Sequence, residues 1–240
     1  MSNRIVVITG AGGGLGYCLT ERYLHAGDRI LAMDYRISES LEALQAKYGE
    51  QLALETCDVS SQEAVQKVGE TFGRMYDHVD VILNVAGIYR FADKVGLAET
   101  DLDADLVARM YNVNAMGPLR VVKSLWNYLR DGTVILNVSS EAGSIGSCWR
   151  KAEYSYCMSK AALNMGAKLL ANELEGRKIR VINVHPGWMK TTMGGEDAMK
   201  SDSAITPEQA ADDLLGIVDA AFEFPEGMMY MEHDRKPLPW

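Results

Sequence analysis

The chain has 240 residues, 48% of them hydrophobic, and carries 24 Lys and Arg against 33 Asp and Glu, a formal net charge of −9. An acid excess with no basic block argues against nucleic acid or an anionic membrane as principal partner. No apolar run approaches the ~18 residues that a membrane helix needs, and one α/β domain over 1–240 accommodates the whole length. The opening "MSNRIVVITG" lacks the apolar core and small-residue cleavage site of a secretory signal, so a cytoplasmic chain complete from its first residues is expected. Cys18, Cys57, Cys148 and Cys157 have no paired spacing, and His25, His78, His185 and His233 are scattered. Neither a disulfide framework nor a metal site is expected.

Short apolar runs alternate with stretches of helical period. Strands are predicted over 4–9, 29–34, 52–57, 79–85, 133–138 and 180–185, with a weaker seventh over 228–231. Their Val, Ile and Leu content is nearly continuous, as in strands covered on both faces. Helices are predicted near 14–26, 38–48, 61–76, 101–130, 155–175 and 207–222. "SSQEA" at 60–64 offers an N-cap with acid in the first turn, and Pro207 suits a first helical position. This alternation implies an α/β fold, a doubly wound parallel sheet of about seven strands flanked by helices on both faces. The one long irregular piece, 186–206, has the length at which loops become functional or mobile.

"TGAGGGLG" (9–16) follows the first strand and opens the first helix, with glycines at Gly10, Gly12, Gly13, Gly14 and Gly16. Glycines let backbone approach a diphosphate, and the helix behind them aims N–H groups and its positive end at the phosphates. No G-K-[ST] ending is present, which disfavours nucleoside-triphosphate chemistry. Asp34 ends the second strand, where an acid accepts both ribose hydroxyls of NAD and repels a 2′-phosphate. Arg36 could serve NADP instead, but Asp34 is nearer the strand end, so NAD(H) is expected over NADP(H). Asp58 ends the third strand, and Asn84, Ala86 and Gly87 follow the fourth, all at the carboxyl rim where doubly wound sheets bind ligands.

Tyr156 and Lys160 stand four apart, one helical turn, so that an ammonium lies near a phenol and favours its phenolate. Tyr154 has Met158 at that offset, so Tyr156 is the candidate and Tyr154 is expected to line the preceding loop. Ser139 and Ser140 end the fifth strand. Asn112 and Asn114 interrupt a helical stretch for which asparagine is poorly suited. Asn114 is readable as a cap on a helix irregularity near Gly117–Pro118, able also to hold a water.

These motifs, T-G-x-x-x-G-x-G (9–16), N-x-A-G (84–87), Asn114, Ser140, Y-x-x-x-K (156–160) and "HPGWMKT" (185–191), occur in one order along the chain. The sequence resembles the short-chain dehydrogenase/reductase family over nearly its whole length. "HPGW", "MGG" and the final "PW" further resemble its C-factor and sniffer-type carbonyl reductase branch. The resemblance implies a single-domain Rossmann fold, with Tyr156 as general acid/base and Lys160 as its pKa modifier and ribose ligand. It also implies Ser140 as carbonyl polariser and Asn114 as anchor of a proton-relay water. The cofactor groove it implies adds Leu15, Tyr35, Val59, Pro186, Gly187, Met189 and Thr191, the last on the carboxamide. Val85 stands where many members have a second asparagine, and Ser140 and Tyr156 are three residues further apart than is common.

A substrate pocket is expected between 141–154 and the loop after Pro186. Ile145, Trp149, Trp188 and Met193, beside Ser140 and Tyr156, suit an apolar or aromatic carbonyl or secondary alcohol. Arg150 and Lys151 are available to a carboxylate. A dinucleotide-binding sensor with little turnover is the alternative, and a methyltransferase-like fold is disfavoured by the Tyr–Lys pair. The resemblance also implies a homodimer or homotetramer through 101–130 and 155–175.

Overall fold

Strand β1 (Ile5–Thr9) is buried along its whole length, and its side chains alternate between two apolar layers. Val6 and Ile8 face one layer, Ile5 and Val7 the other. Each such side chain contributes about 1.5–3 kcal/mol on leaving water, so a strand apolar at every position is stable only with helices on both sides. The computed structural model of the chain describes residues 3–90, 93–99 and 101–240.

The first layer is closed by α1 (Gly14–Ala26), α2 (Glu39–Tyr48) and α8 (Pro207–Asp219), through Leu19, Leu41 and Leu214 among others. The second is closed by α3 (Gln62–Met75), α5 (Gly117–Ser124) and α6 (Tyr154–Glu173), through Phe72, Val121 and Leu170. Between them β1 is joined by β2 (Arg29–Asp34), β3 (Leu52–Thr56), β4 (Val79–Asn84), β5 (Leu129–Val138), β6 (Arg180–His185) and β7 (Met228–Glu232). All pairings are parallel, in the order β3-β2-β1-β4-β5-β6-β7. The order reverses beside β1, and the crevice outside β1 and β4 is where such sheets take ligands. Ser61 caps α3 and Thr206 caps α8, with Pro207 at the first turn, as the sequence signals require.

The predicted helix over 101–130 is broken into two α-helices, a π turn between them and a short 3-10 turn over Trp126–Tyr128 before β5. Helix α4 (Ala104–Tyr111) passes into a π turn over Asn112–Met116 before α5 begins. Pro118 has no N–H to continue an α ladder, and the Asn114 side chain is bonded elsewhere, so the wider turn takes up the slack. Strand β5 starts four residues earlier than predicted, with a register shift opposite Val79/Val81 and Gly132 at φ +97°. The 186–206 segment is not wholly irregular: it holds a short α7 (Gly195–Lys200) and a parallel bridge between Met189 and Ile205. Among the described residues no helix is long and apolar enough to cross a membrane.

Candidate active site

The glycine loop is built for close approach. Gly10 has φ +67°, and a Cβ there would lie 2.8 Å from Ala86, so only glycine fits. Gly13 caps α1 with no side-chain hydrogen bond, and no acid occupies the first turn, leaving a positive helix end open. A Cβ on Gly13 would meet nothing within 4 Å, and one on Gly14 would face the Thr191 methyl at 3.5 Å. Glycine loop, free helix end and Thr191 thus frame a groove that fits a dinucleotide diphosphate. Asp34 closes its far side: Oδ2 accepts the Gly12 N–H at 2.7 Å and Oδ1 the Arg36 N–H at 3.2 Å. Tyr35 stands exposed beside it, and Asp58 Oδ1 is taken by Ser60 in a local turn.

Several predicted groove residues turn their side chains inward instead. Leu15 and Val59 are core, Val59 lying under Gly117, and Pro186 is buried. Met189 packs against the first apolar layer. Gly16 serves packing, since a Cβ there would reach within 2.0 Å of the Gly10 carbonyl. Asn84 is 3% exposed and donates to Asn137 Oδ1 at 2.8 Å. Asn137 donates in turn to Asn183, and Asn183 to Asn164 on α6, each at 2.8 Å. The three strand asparagines are cross-strand neighbours, so sheet register strings them into one buried ladder. Ser139 joins it, donating to Asn164 at 2.7 Å.

Ser140 leaves the end of β5 and Tyr156 sits in the first turn of α6, at the same rim. Asp93 fixes that turn, accepting from Ser155 N and Oγ and from Tyr156 N at 3.2, 2.9 and 2.9 Å. The Tyr156 ring packs edge-on against Tyr89 at 5.1 Å between centroids. Burial pushes its phenol up to about 12, while Ser140, within hydrogen-bonding reach, pulls the other way. Lys160 is 5% exposed, with Nζ 5.7 Å from the Tyr156 ring centroid and 2.8 Å from the Val138 carbonyl it donates to. Burial lowers the ammonium to about 8. The largest influence on the Tyr156 phenol in the protein by itself is burial, which disfavours the phenolate.

Asn114 lies in the π turn, accepting from Ile88 N at 2.7 Å and donating to Ile88 O and Ser159 Oγ at 2.9 and 3.0 Å. A Cβ on Gly87 would stand 3.4 Å from Asn114 Oδ1 and 3.7 Å from Lys160 Nζ, so this loop, α6 and the π turn converge. Tyr154, the first residue of α6, is 36% exposed.

The loop between Ser140 and Tyr156 carries charge that the sequence reading did not connect. Arg150 is paired with both Glu141 and Glu153. Glu153 also accepts the Tyr89 hydroxyl at 2.5 Å. Glu141 accepts the Ser140 hydroxyl at 2.6 Å and has His185 Nδ1 at 3.5 Å. The signal for Glu141 was its place next to Ser140; for Arg150 and Glu153 no local pattern exists. Ile145, Trp149, Trp188 and Met193 are all exposed on the two loops at this rim. Cys157 is half-buried, and burial pushes its thiol up to about 11, which disfavours the thiolate at neutral pH. No metal-holding cluster occurs among the described residues.

A family model for short chain dehydrogenases matches residues 4–202. The chain belongs to the short-chain dehydrogenase/reductase family. It is 30% identical over 216 residues to the 1-hydroxy-2-glutathionyl-2-methyl-3-butene dehydrogenase of Rhodococcus sp., covering 89% of this chain and 90% of that protein. It is 31% identical over 164 residues to the C-signal protein of Myxococcus xanthus, covering 68% of this chain and 93% of that one. A carbonyl reductase from Pseudomonas aeruginosa, solved in complex with NADP, superimposes with TM-score 0.83 at 31% identity over the full length of both chains. The C-signal and carbonyl reductase likenesses agree with the resemblance carried by "HPGW" and the final "PW". As a short-chain dehydrogenase/reductase the chain is an oxidoreductase using a nicotinamide dinucleotide, and the glycine groove fits that cofactor.

Proposed function

We propose that this short-chain dehydrogenase/reductase transfers hydride between NAD(H) and a largely apolar carbonyl or secondary alcohol, with Tyr156 as general acid/base. The observation that carries the reading is the Tyr156 phenol set beside Ser140, with the Lys160 ammonium one helical turn behind it. The bound dinucleotide supplies or accepts hydride at its nicotinamide, in the groove framed by Gly10, Gly12–Gly14, Asp34, Gly87 and Thr191. Ser140 and Tyr156 hydrogen-bond the substrate oxygen where negative charge develops, and Tyr156 provides the proton in reduction. In oxidation Lys160 stabilises the phenolate, each unit of lowering corresponding to about 1.36 kcal/mol. Asn114 holds the Ile88 backbone and is placed to anchor a water linking Lys160 to solvent. Exposed Ile145, Trp149, Trp188 and Met193 support an apolar substrate, with 186–206 as the substrate loop of the single domain 1–240.

Asp34 supports NAD(H): its carboxylate would face a 2′-phosphate with like charge. The NADP of the Pseudomonas structure and exposed Arg36 favour the other dinucleotide, and the Asp34 charge, nearer the groove, decides our reading. Cytoplasmic residence and pairing of copies through α6 complete the proposal; exposed Met158, Met165 and Leu169 share one helix face. The C-signal likeness favours a second reading, a dinucleotide-dependent signalling protein with little turnover.

The test is a panel of aliphatic and aromatic ketones and aldehydes with NADH or NADPH, followed at 340 nm, on the natural chain and Tyr156→Phe. Turnover lost in the variant with cofactor binding kept supports the enzyme; equal turnover in both overturns it, and no turnover in either favours the signalling reading.

A further inference from the structure

Ser140 has one hydroxyl proton and more than one claimant for it. Its Oγ lies 2.6 Å from Glu141 Oε2, accepts the Ala142 N–H at 3.2 Å, and is within reach of the Tyr156 phenol. A carboxylate takes a hydroxyl proton in preference to a neutral phenol oxygen, since hydrogen bonds to charged groups are about twice as strong. The carboxylate is not a chance neighbour. Arg150 holds its other oxygen and is itself pinned by Glu153, which is 8% exposed and takes the Tyr89 hydroxyl. Tyr89 packs on Tyr156, so the chain of contacts runs around the catalytic phenol and returns to it. The Tyr230 hydroxyl anchors the Ser140 carbonyl at 2.5 Å, which leaves the serine hydroxyl as the part free to turn.

We propose that Glu141 is a positioning residue for Ser140: ionised, it accepts the serine hydroxyl's hydrogen bond and turns that hydroxyl away from the substrate oxygen, and neutralised, it donates a hydrogen bond to Ser140 Oγ and leaves the serine O–H to donate to the carbonyl. The inference rests on the reading of Ser140 as carbonyl polariser. It makes the protonation of Glu141 a control on the reductive direction. A protonated Glu141 and the serine form a continuous donor chain, Glu141 O–H to Ser140 O–H to carbonyl oxygen, with no net change in bonding beyond hydrogen bonds.

The groups facing Glu141 come from four elements. Arg150 lies in the loop before α6, Tyr156 in α6, His185 at the end of β6, and Glu232 and Tyr230 in β7. Burial alone would raise the Glu141 carboxyl, but His185, the Ser140 hydroxyl and Arg150 together hold it below the usual carboxylate range. His185 is itself lowered by burial, and Glu232 is raised by burial and by Glu141. Glu141 is thus the ionised member at neutral pH, and it accepts the serine hydroxyl's hydrogen bond there.

The first test needs neither substrate nor cofactor. The Glu141 carboxyl carbon is followed by 13C NMR through an acid titration in the natural chain and in Ser140→Ala, with Glu141→Gln identifying the resonance. Loss of the serine donor is expected to raise the Glu141 pKa by about one unit; an unchanged pKa overturns the proposal. The second test is the pH profile for reduction of 4-nitrobenzaldehyde. Glu141→Gln, whose amide donates to Ser140 at every pH, is expected to raise kcat at neutral pH roughly tenfold, the factor that goes with 1.36 kcal/mol. It is also expected to abolish the rise toward acid pH that the proposal requires of the natural chain. A uniform loss at all pH values, with the profile unmoved, shows a merely structural role and overturns the proposal. Turnover retained in Ser140→Ala at acid pH, where Glu141 is neutralised, overturns the polariser reading instead, and the NMR comparison still decides whether Glu141 accepts the serine hydrogen bond.

Discussion

The hydroxyl of Tyr230, on the last strand, donates to the backbone carbonyl of Ser140 at 2.5 Å, joining residues ninety positions apart. Tyr230 is 3% exposed and its ring stacks on Trp240 at 5.5 Å between centroids. The edge of the sheet thereby fixes the main chain on which the candidate polariser sits. Trp240 adds a second brace, its carbonyl accepting the Gly146 N–H at 2.6 Å.

Tyr230→Phe keeps the ring and deletes the hydroxyl. A buried carbonyl left unpaired costs about 1–3 kcal/mol, so the urea midpoint is expected to fall with an unchanged m-value. Turnover is expected to drop through kcat, since the cofactor groove is untouched.

Lys160 gives stability a distinctive pH dependence. Its folded pKa of about 8 lies below the unfolded value of about 10.4. Between these values the unfolded chain binds the extra proton, so the burial penalty present below pH 8 is relieved as pH rises toward 10. Lys160→Met removes the penalty at every pH. The stability difference between variant and natural chain, a few kcal/mol at pH 7, is expected to shrink by pH 9.5 in denaturant titrations without cofactor.

Asp34→Ser removes the charge opposed to a 2′-phosphate and the acceptor for the Gly12 N–H. Affinity for NADPH is expected to rise and that for NADH to fall, each by roughly tenfold, about 1.4 kcal/mol. Fluorescence titration of both reduced cofactors reads the change, and tighter NADPH binding by the unaltered chain would refute the NAD assignment.

Gly10→Ala forces a left-handed φ of +67° on an L-residue and sets its Cβ 2.8 Å from Ala86. The conformation alone costs about 1–2 kcal/mol. With the contact added, a loss of about 3 kcal/mol or more is expected by chemical denaturation, together with loss of dinucleotide binding.

What the sequence determined by itself was everything that is local and periodic. Continuous apolar runs fixed the strands, Ser61 and Thr206 fixed helix starts, and the glycine loop, Ser140, Tyr156 and Lys160 stood out as candidates through the motifs that carry the family resemblance. Tertiary structure decided the rest. Asn84 read as a groove residue, yet parallel register aligns it with Asn137 and Asn183 and makes it a rung of an interior ladder. Asn112 and Asn114 were poor helix formers in the helix predicted over 101–130, with an irregularity expected near Gly117–Pro118, and the structure places a π turn there with Asn114 bonded to Ile88 and Ser159. Arg150 looked like a surface cation until the loop folded it between Glu141 and Glu153. Backbone propensity and hydrophobic period act over a few residues and leave a trace in the string. The partner of a polar side chain is set by which strands lie side by side and where a crossover returns, and no neighbouring residue records it.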